Sequence, residues 1–204
     1  MTAPDIVNSE MFQKCLAFHG HLCPGLSLGY QACRAGLEAL RSGPSEDEEL
    51  VTIVESNACS ADAVQVMTGC TFGKGNLVFH DYGKMVFTFF DRQSGRGARV
   101  SLRPEAFPAD EDHLALLKKI QSGQATTDER EHFQERHRER SHELLARHPE
   151  ELFTVTPVSC DPPRKARVDT SLPCRRCGEP TMKSKLLATG EGPVCRACQE
   201  EKTT

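Results

Sequence analysis

Two histidines and a cysteine fall at alternate positions just ahead of a proline: His19, His21 and Cys23 before Pro24, in the run FHGHLCPGLSLGY from Phe18 to Tyr30. The residue before a proline favours extended backbone, and side chains of extended chain alternate sides, so the three are expected to project together. Pro24 suits the first position of a helix, where its missing N–H costs nothing. Cys23 would then be the N-cap, and a thiol at the positive end of a helix has a lowered pKa. Two imidazoles beside a thiolate suit zinc or a similar divalent metal. Cys59 stands in a comparable setting, at the start of a helix expected in SNACSADAVQVMTGC. The parallel predicts one shared site, with His21, Cys23 and Cys59 as ligands and His19 as a further ligand or the partner of one. Asp62, one turn into the second helix, could orient a ligand or take a proton. Three protein ligands leave a position open for water or substrate, so the ion would be a Lewis acid or a water activator.

Lys74 lies in the glycine-rich stretch GCTFGKGN. A Walker A loop needs four residues between its glycines and Ser or Thr after the lysine, so a tight turn is the better reading. Lys74, with Asp81, Tyr82 and Lys84, is still a candidate for holding a small anionic substrate; the competing reading is ordinary turn and strand-surface polarity. Cys15 and Cys33 fall inside expected helices and read as core residues. Cys70 follows the end of the Cys59 helix and is excluded from the site. The competing reading for Cys23 and Cys59 is two independent buried thiols.

A second centre is written near the C-terminus. Cys174-Arg-Arg-Cys177 and Cys195-Arg-Ala-Cys198 are two C-x2-C pairs with seventeen residues between them. Each knuckle presents two sulfurs, and four thiolates complete a tetrahedron around Zn2+ with no place left for substrate. The metal is therefore structural, and so short a segment needs it to fold. A dithiol redox pair would not need two such motifs.

These residues must be positioned by the elements around them. A helix capped by Asn8 or Ser9 runs to Gly20, and a second runs from about Pro24 to Leu40 with Leu28, Ala32, Ala35 and Ala39 on one face. Leu50–Glu55 reads as a strand, and Gly69 ends the Cys59 helix. Leu77–Tyr82, Lys84–Arg92 and Ala98–Leu102 read as an antiparallel meander. A helix opens at Asp110 or Asp112 and ends at Gly123. Another opens at Thr127 or Asp128 and stops at Pro149. Its histidines 132, 137, 142 and 148 walk around the axis, which suggests a solvated helix with a thin apolar stripe of Phe133, Leu144 and Leu145. Phe153–Ser159 is a further strand. The expected fold class is α+β, an antiparallel sheet packed with helices, plus a small C-terminal four-cysteine zinc finger. The expected domains are a core over residues 1–160, a linker over 161–173 and a zinc module over 174–204.

The formal net charge is -4, which gives no reason to expect nucleic acid or an anionic membrane as partner. No run of about 18 apolar residues is present, so no membrane span is expected. MTAPDIVNSE lacks a secretion pattern, and ten cysteines without one point to reduced thiols and a cytoplasmic protein.

The segments FHGHLCPGLSLGYQA (Phe18–Ala32), ESNACSADAVQVMTGCTFGKGNL (Glu55–Leu77) and DYGKMVFTF (Asp81–Phe89) resemble the FmdE family, named for a component of molybdenum formylmethanofuran dehydrogenase. The resemblance covers residues 8 to about 160, and the C-terminal module looks like a treble clef. It implies an α+β core that forms a homodimer, a metal or active site built on the His and Cys motifs, and a role near one-carbon or molybdenum enzyme chemistry. Three readings of function follow. The leading one is a metal-binding protein with an open His/Cys site acting on a small anionic substrate. The second is a non-enzymatic accessory protein that delivers metal or a metal cofactor to a partner oxidoreductase. The third is a nucleic-acid or protein-binding zinc-ribbon protein, which Arg175, Arg176, Arg196, Lys183 and Lys185 would serve; it ranks last because the module lacks aromatic residues for stacking.

Overall fold

The computed structural model describes residues 2–159, 161–165, 169–190 and 192–200. The chain divides into two compact units, residues 1–165 and 166–204. No helix among the described residues is long and apolar enough to cross a membrane.

The first unit is α+β. After a short helix α1 (Ala3–Val7), Ser9 accepts the Phe12 N–H and starts α2 (Glu10–His19). Gly20, at φ +93°, ends α2 in the left-handed region that glycine alone enters freely. Four residues later α3 (Pro24–Leu40) begins. It is the central helix, and most of its residues are buried. Strand β1 (Leu50–Val54) leads into α4 (Ser60–Thr68), which Gly69 ends at φ +69°. Then come β2 (Leu77–Phe79), β3 (Val86–Asp91) and β4 (Arg96–Leu102), helices α5 (Glu111–Gln121), α6 (Thr127–Ala146) and α7 (Pro149–Leu152), and β5 (Phe153–Val158).

The sheet order is β2-β1-β3-β4-β5. The expected meander is therefore only partly formed. β3, β4 and β5 are antiparallel neighbours, but β2 and β3 do not pair, because β1 lies between them. β2 joins β1 in parallel, with Thr52 opposite Leu77, after the chain has crossed over through α4. Parallel neighbours need such a crossover, and the helix supplies it. Phe87, Phe89, Ala98, Val100 and Phe153 give the sheet its core face. The α3 helix lies close on it, since a Cβ on Gly36 would meet the Phe89 ring at 2.4 Å.

The C-terminal end of α6 is tied to α3 by Gln31, which is fully buried and donates from Nε2 to the carbonyls of Leu144 (3.0 Å) and Arg147 (2.7 Å). The last turn of a helix leaves carbonyls short of partners, and here only the capping Arg147 N–H reaches Leu144, at 3.4 Å, so the amide adds a donor at this end. α6 is thus less solvated than its composition suggests: Arg140, Ser141, Leu144 and Leu145 are buried along one face.

Helices α3 and α4 approach through glycines. A Cβ on Gly29 would sit 2.3 Å from the carbonyl oxygen of Ser60, and one on Gly25 would sit 3.0 Å from Cys59 Cβ. Gly25 and Gly29, four apart, form a flat strip on α3 against which the start of α4 rests. Gly29→Ala must push backbone apart. It is expected to cost about 1–3 kcal/mol, the usual range for overpacking, and to lower the thermal midpoint accordingly.

In the second unit, β6 (Ser171–Pro173) pairs with β7 (Pro180–Met182), and β8 (Leu187–Thr189) pairs with β9 (Gly192–Val194) ahead of α8 (Arg196–Glu200). The expected linker over 161–173 therefore ends earlier, because Ser171–Pro173 are already a strand of the module. Pro173 pairs opposite Pro180, and the knuckle at Cys174 follows directly.

Candidate metal centres and the adjoining cavity

His19 is the last residue of α2, not part of an extended run, and Gly20 turns the chain so that His21 and Cys23 come back beside it. One donor atom from each of His19, His21 and Cys23 lies within 4.8 Å of the others. The rings of His19 and His21 are 4.5 Å apart, and His19 Nε2 is 3.5 Å from Cys23 Sγ. Around a tetrahedral zinc, bonds of about 2.0–2.1 Å to nitrogen and 2.3 Å to sulfur put such donors roughly 3.5 Å apart. The other ring nitrogen of His19, Nδ1, is 2.7 Å from Asp62 Oδ2. This contact holds the proton on Nδ1 and leaves the Nε2 lone pair facing Cys23, the arrangement seen behind metal-bound imidazoles.

Cys23 is the N-cap of α3, and its sulfur accepts the Leu26 N–H at 3.3 Å. Its thiol is nevertheless not lowered. Burial, at 3% exposure, pushes it up to about 11, and the neighbouring Cys59 pushes the same way, while the Leu26 N–H opposes them. Desolvation here outweighs the helix end. Cys59 caps α4 without a side-chain hydrogen bond of its own, so its sulfur is not used by the helix. The donor cluster is His19, His21 and Cys23; Cys59, expected as a ligand, is outside it, and the glycine strip of α3 holds it as a neighbour of Cys23.

Other sequence candidates lie elsewhere. Lys74 Nζ donates to the carbonyls of Glu46 (3.4 Å) and Asp47 (3.3 Å) in a surface turn. Asp81, Tyr82 and Lys84 are exposed, with Lys84 Nζ 5.8 Å from the centre of the Tyr82 ring. Cys15, Cys33 and Cys70 are fully buried in the core, and Cys70 Sγ accepts from Thr52 Oγ1 at 3.4 Å.

The His21, Cys23 and Cys59 side chains form one wall of a cavity of about 630 Å3. Phe107–Asp110, α5 and α6 form the rest of it, contributing His113, Phe133, His137 and Arg140. Sequence reasoning missed these four. His113 Nε2 is 3.0 Å from His137 Nδ1, and the His113 and Phe133 rings stack at 4.7 Å. Burial lowers the pKa of both imidazoles, that of His137 to about 4 with His113 adding to the effect, so both are neutral at pH 7. The available signal was on α6: Phe133, His137, Ser141 and Leu144 recur at helical spacing, which puts His137 on the buried stripe.

Asp110 holds this wall together. It caps α5 by accepting the His113 N–H at 3.0 Å, and it accepts from Arg136 Nε (2.9 Å) and Arg140 Nη1 (3.0 Å). The His113 N–H first, with the two guanidiniums behind it, holds the Asp110 carboxyl down to about 2. An acid lowered by folding stabilises the fold above its unfolded value, near 3.9, and that contribution is lost as the pH falls from there toward 2. Asp110→Asn is therefore expected to destabilise the chain at neutral pH and to remove part of the acid dependence between pH 4 and 2, read by denaturant titration at each pH.

In the second unit the sulfurs of Cys174, Cys177, Cys195 and Cys198 cluster within 4.8 Å, and those of Cys177 and Cys195 are 3.9 Å apart. A tetrahedron of sulfurs about 2.3 Å from zinc has edges of roughly 3.8 Å. The Cys174 thiol is held down to about 6 by backbone N–H groups, first that of Cys195, whereas its crowded neighbours push Cys198 up to about 12. Four thiolates so close need a cation among them, and these residues fit a structural zinc.

The comparisons with known proteins agree with both units. Residues 18–154 match the family described as "FmdE, Molybdenum formylmethanofuran dehydrogenase operon", and residues 169–203 match the prokaryotic dksA/traR C4-type zinc finger. The chain is similar to a probable S-adenosyl-L-methionine-binding protein of Archaeoglobus fulgidus, 33% identical in an alignment 187 residues long that covers 87% of this chain and 50% of that protein. The chain thus spans about half the length of that curated relative. It is also similar to the crystal structure of a tungsten formylmethanofuran dehydrogenase FmdE-like protein from Syntrophus aciditrophicus, with TM-score 0.63, 25% identity and 100% of both chains covered. The chain therefore belongs to the FmdE family, and it carries a dksA/traR-type C4 zinc finger after its FmdE domain.

Proposed function

We propose that the FmdE domain is a divalent-metal centre, with zinc the best fit, that acts on a small organic molecule admitted through the adjoining cavity. His19 through Nε2, His21 and Cys23 are its ligands, and Cys59 stands beside Cys23 as a fourth donor or as the group facing substrate. The observation that carries this reading is the 3.5 Å approach of His19 Nε2 to Cys23 Sγ while His19 Nδ1 is held by Asp62 at 2.7 Å. An imidazole oriented by a carboxylate, with its free nitrogen aimed at a thiol, suits an ion better than it suits packing. When bound, a divalent ion supplies Lewis acidity. Asp62 fixes the His19 tautomer, and the Leu26 N–H supports a Cys23 thiolate once its proton is displaced. His137, neutral and on the cavity wall, spends Nδ1 on His113, so Nε2 is the ring nitrogen it has left for a hydrogen bond with substrate. Lys74 is given no part, being committed to the Glu46 and Asp47 carbonyls.

Delivery of the ion to a partner oxidoreductase is less well supported, because Cys23 is only 3% exposed. The relative's name raises S-adenosyl-L-methionine as a ligand. That molecule carries a sulfonium, an ammonium and a carboxylate; Asp110 is already taken by Arg136 and Arg140, while Arg140 Nε is buried without a partner among the described residues. Cobalt(II) in place of zinc tests the reading. The core ion is expected to show a thiolate charge-transfer band that shifts when benzyl mercaptan is added, and to leave to a chelator over hours. Release within seconds and an unresponsive band would favour delivery. We also propose, from family membership, a homodimer through the core domain; light scattering at micromolar concentration is expected to give twice the chain mass, and a monomer would reject it.

A further inference from the structure

The wall of the cavity beside the core centre holds a buried cation with a donor to spare. The Arg140 side chain is 9% exposed; its Nη1 donates to Asp110 Oδ2 at 3.0 Å and its Nη2 to the Pro108 carbonyl at 2.9 Å. Nε is buried and has no hydrogen-bond partner among the described residues. A buried donor left unpaired is costly, most of all on a charged group. The charge is in excess as well. Asp110, with a side chain 12% exposed, is shared by Arg136 and Arg140. Glu139 and Glu143 face Arg136 as well, but they are 54% and 64% exposed, so water and salt screen them. One buried carboxylate thus answers two guanidiniums. The rest of the lining is apolar and flat: Phe107, Leu114 and Leu117, with His113 and His137 stacked on Phe133 at 4.7 and 5.0 Å. The volume, about 630 Å3, falls within the range of small-molecule sites, about 300–1,000 Å3.

We infer that this cavity binds a small monocarboxylate with a flat, apolar body, its carboxylate held by Arg140. This deepens the proposed function by naming the substrate class, and it rests on that reading for what the ion does to the ligand, not for the binding itself. The small anionic substrate expected from the sequence is kept, but its cation is Arg140 and not Lys74. A carboxylate here exchanges water for a charge-assisted bond to a guanidinium that has charge to spare. An uncharged isostere gains the same apolar burial and none of that pairing. One spare N–H and one unit of charge suit a monoanion better than a phosphate dianion. Nε has almost no exposed surface of its own, so the guanidinium turns to meet the ligand. The Phe107 ring, 4.3 Å from the guanidinium carbon, covers a face and leaves the in-plane N–H directions open. The ion at the His21 and Cys23 wall is a second cation that a carboxylate could choose, and the two are separable by experiment.

The test compares 2-naphthoate with 2-naphthamide, its uncharged isostere, on the zinc-loaded full chain by isothermal titration calorimetry. Naphthoate is expected to bind at least about ten-fold more tightly, the scale of one hydrogen bond to a charged group. Arg140→Met is expected to erase that preference. Because this variant also takes a partner from Asp110, a second pair of substitutions stands beside it. Leu114, 42% exposed on the cavity lining, tolerates a charge: Leu114→Lys is expected to tighten naphthoate and Leu114→Glu to weaken it, with naphthamide, zinc content and circular dichroism unchanged. Cys23→Ser, which empties the core centre, is expected to keep the preference. Equal or tighter binding of naphthamide, no binding of naphthoate, a preference that survives in folded Arg140→Met, or naphthoate binding indifferent to both Leu114 changes would overturn the inference. A preference lost in Cys23→Ser and kept in Arg140→Met would mean that the ion holds the carboxylate; the metal-centre reading would then stand without the inference. An Arg140-dependent preference in a wild-type chain whose core holds no ion would leave the inference standing and remove the metal-centre reading, so the two fail separately.

Discussion

Replacing Cys174 with serine is expected to release one zinc ion per chain and to unfold residues 169–200 while the FmdE domain stays folded. The reason is the size of what remains. Among the described residues, the buried core of the module is Cys174, Val194 and Cys195, with Leu186 and Cys198 packed against it. Two of those three are metal-binding cysteines, so the ion and the core are nearly one object. Zinc contributes about 10–16 kcal/mol to small finger peptides at pH 7, far more than one buried valine can replace. Cys174 is also where the hydrogen bonds converge: its sulfur accepts from the Arg176 N–H at 3.4 Å and the Cys195 N–H at 3.3 Å. Serine removes the soft ligand and shortens the reach to both donors. Limited proteolysis of the full chain should then cut within residues 169–200 and leave a fragment ending near residue 165. Unchanged protease resistance with zinc still bound would reject the assignment.

The second large effect concerns His19 and Asp62. Asp62→Asn keeps the shape but makes the hydrogen bond to His19 Nδ1 weaker or reversed, and an amide that donates its N–H would put the proton on Nε2. Loss of such a partner typically costs 10–100-fold in metal affinity. His19→Ala removes the donor itself and is expected to cost more than the upper end of that range. Competition with a zinc chelator of known affinity measures both, with the zinc finger as the internal reference that should not change. Equal affinity in Asp62→Asn and wild type would mean that the 2.7 Å contact is a structural hydrogen bond only.

The starts and stops of elements were legible because they depend on single residues. Ser9, Pro24, Gly20 and Gly69 mark ends that local chemistry decides, and the two C-x2-C pairs needed only their spacing. The sheet order was not legible. β2 is three residues long, and its place beside β1 comes from the α4 crossover, a tertiary feature with no local signature. Leu77–Tyr82 and Lys84–Arg92 read as neighbours in a meander because a hairpin and a longer connection share the same local chemistry. The His/Cys wall was legible for the same reason as the zinc finger, since His19, His21 and Cys23 are close in sequence. Its cavity was not, because His113, His137 and Arg140 come from helices roughly a hundred residues later and meet it only through packing. The Cys23 thiol shows the limit of a local argument: the helix end acts as expected, and burial still decides the sign.

The central claim is that this chain holds two separate metal centres, one in the FmdE domain and one in the zinc finger. Metal analysis of the purified full chain beside its Cys23→Ser and Cys174→Ser variants tests it most directly. The account predicts two ions per chain in the wild type, one in each variant, and none when both substitutions are combined. Two ions retained in folded Cys23→Ser, or one ion in the wild type that only Cys174→Ser removes, would contradict it.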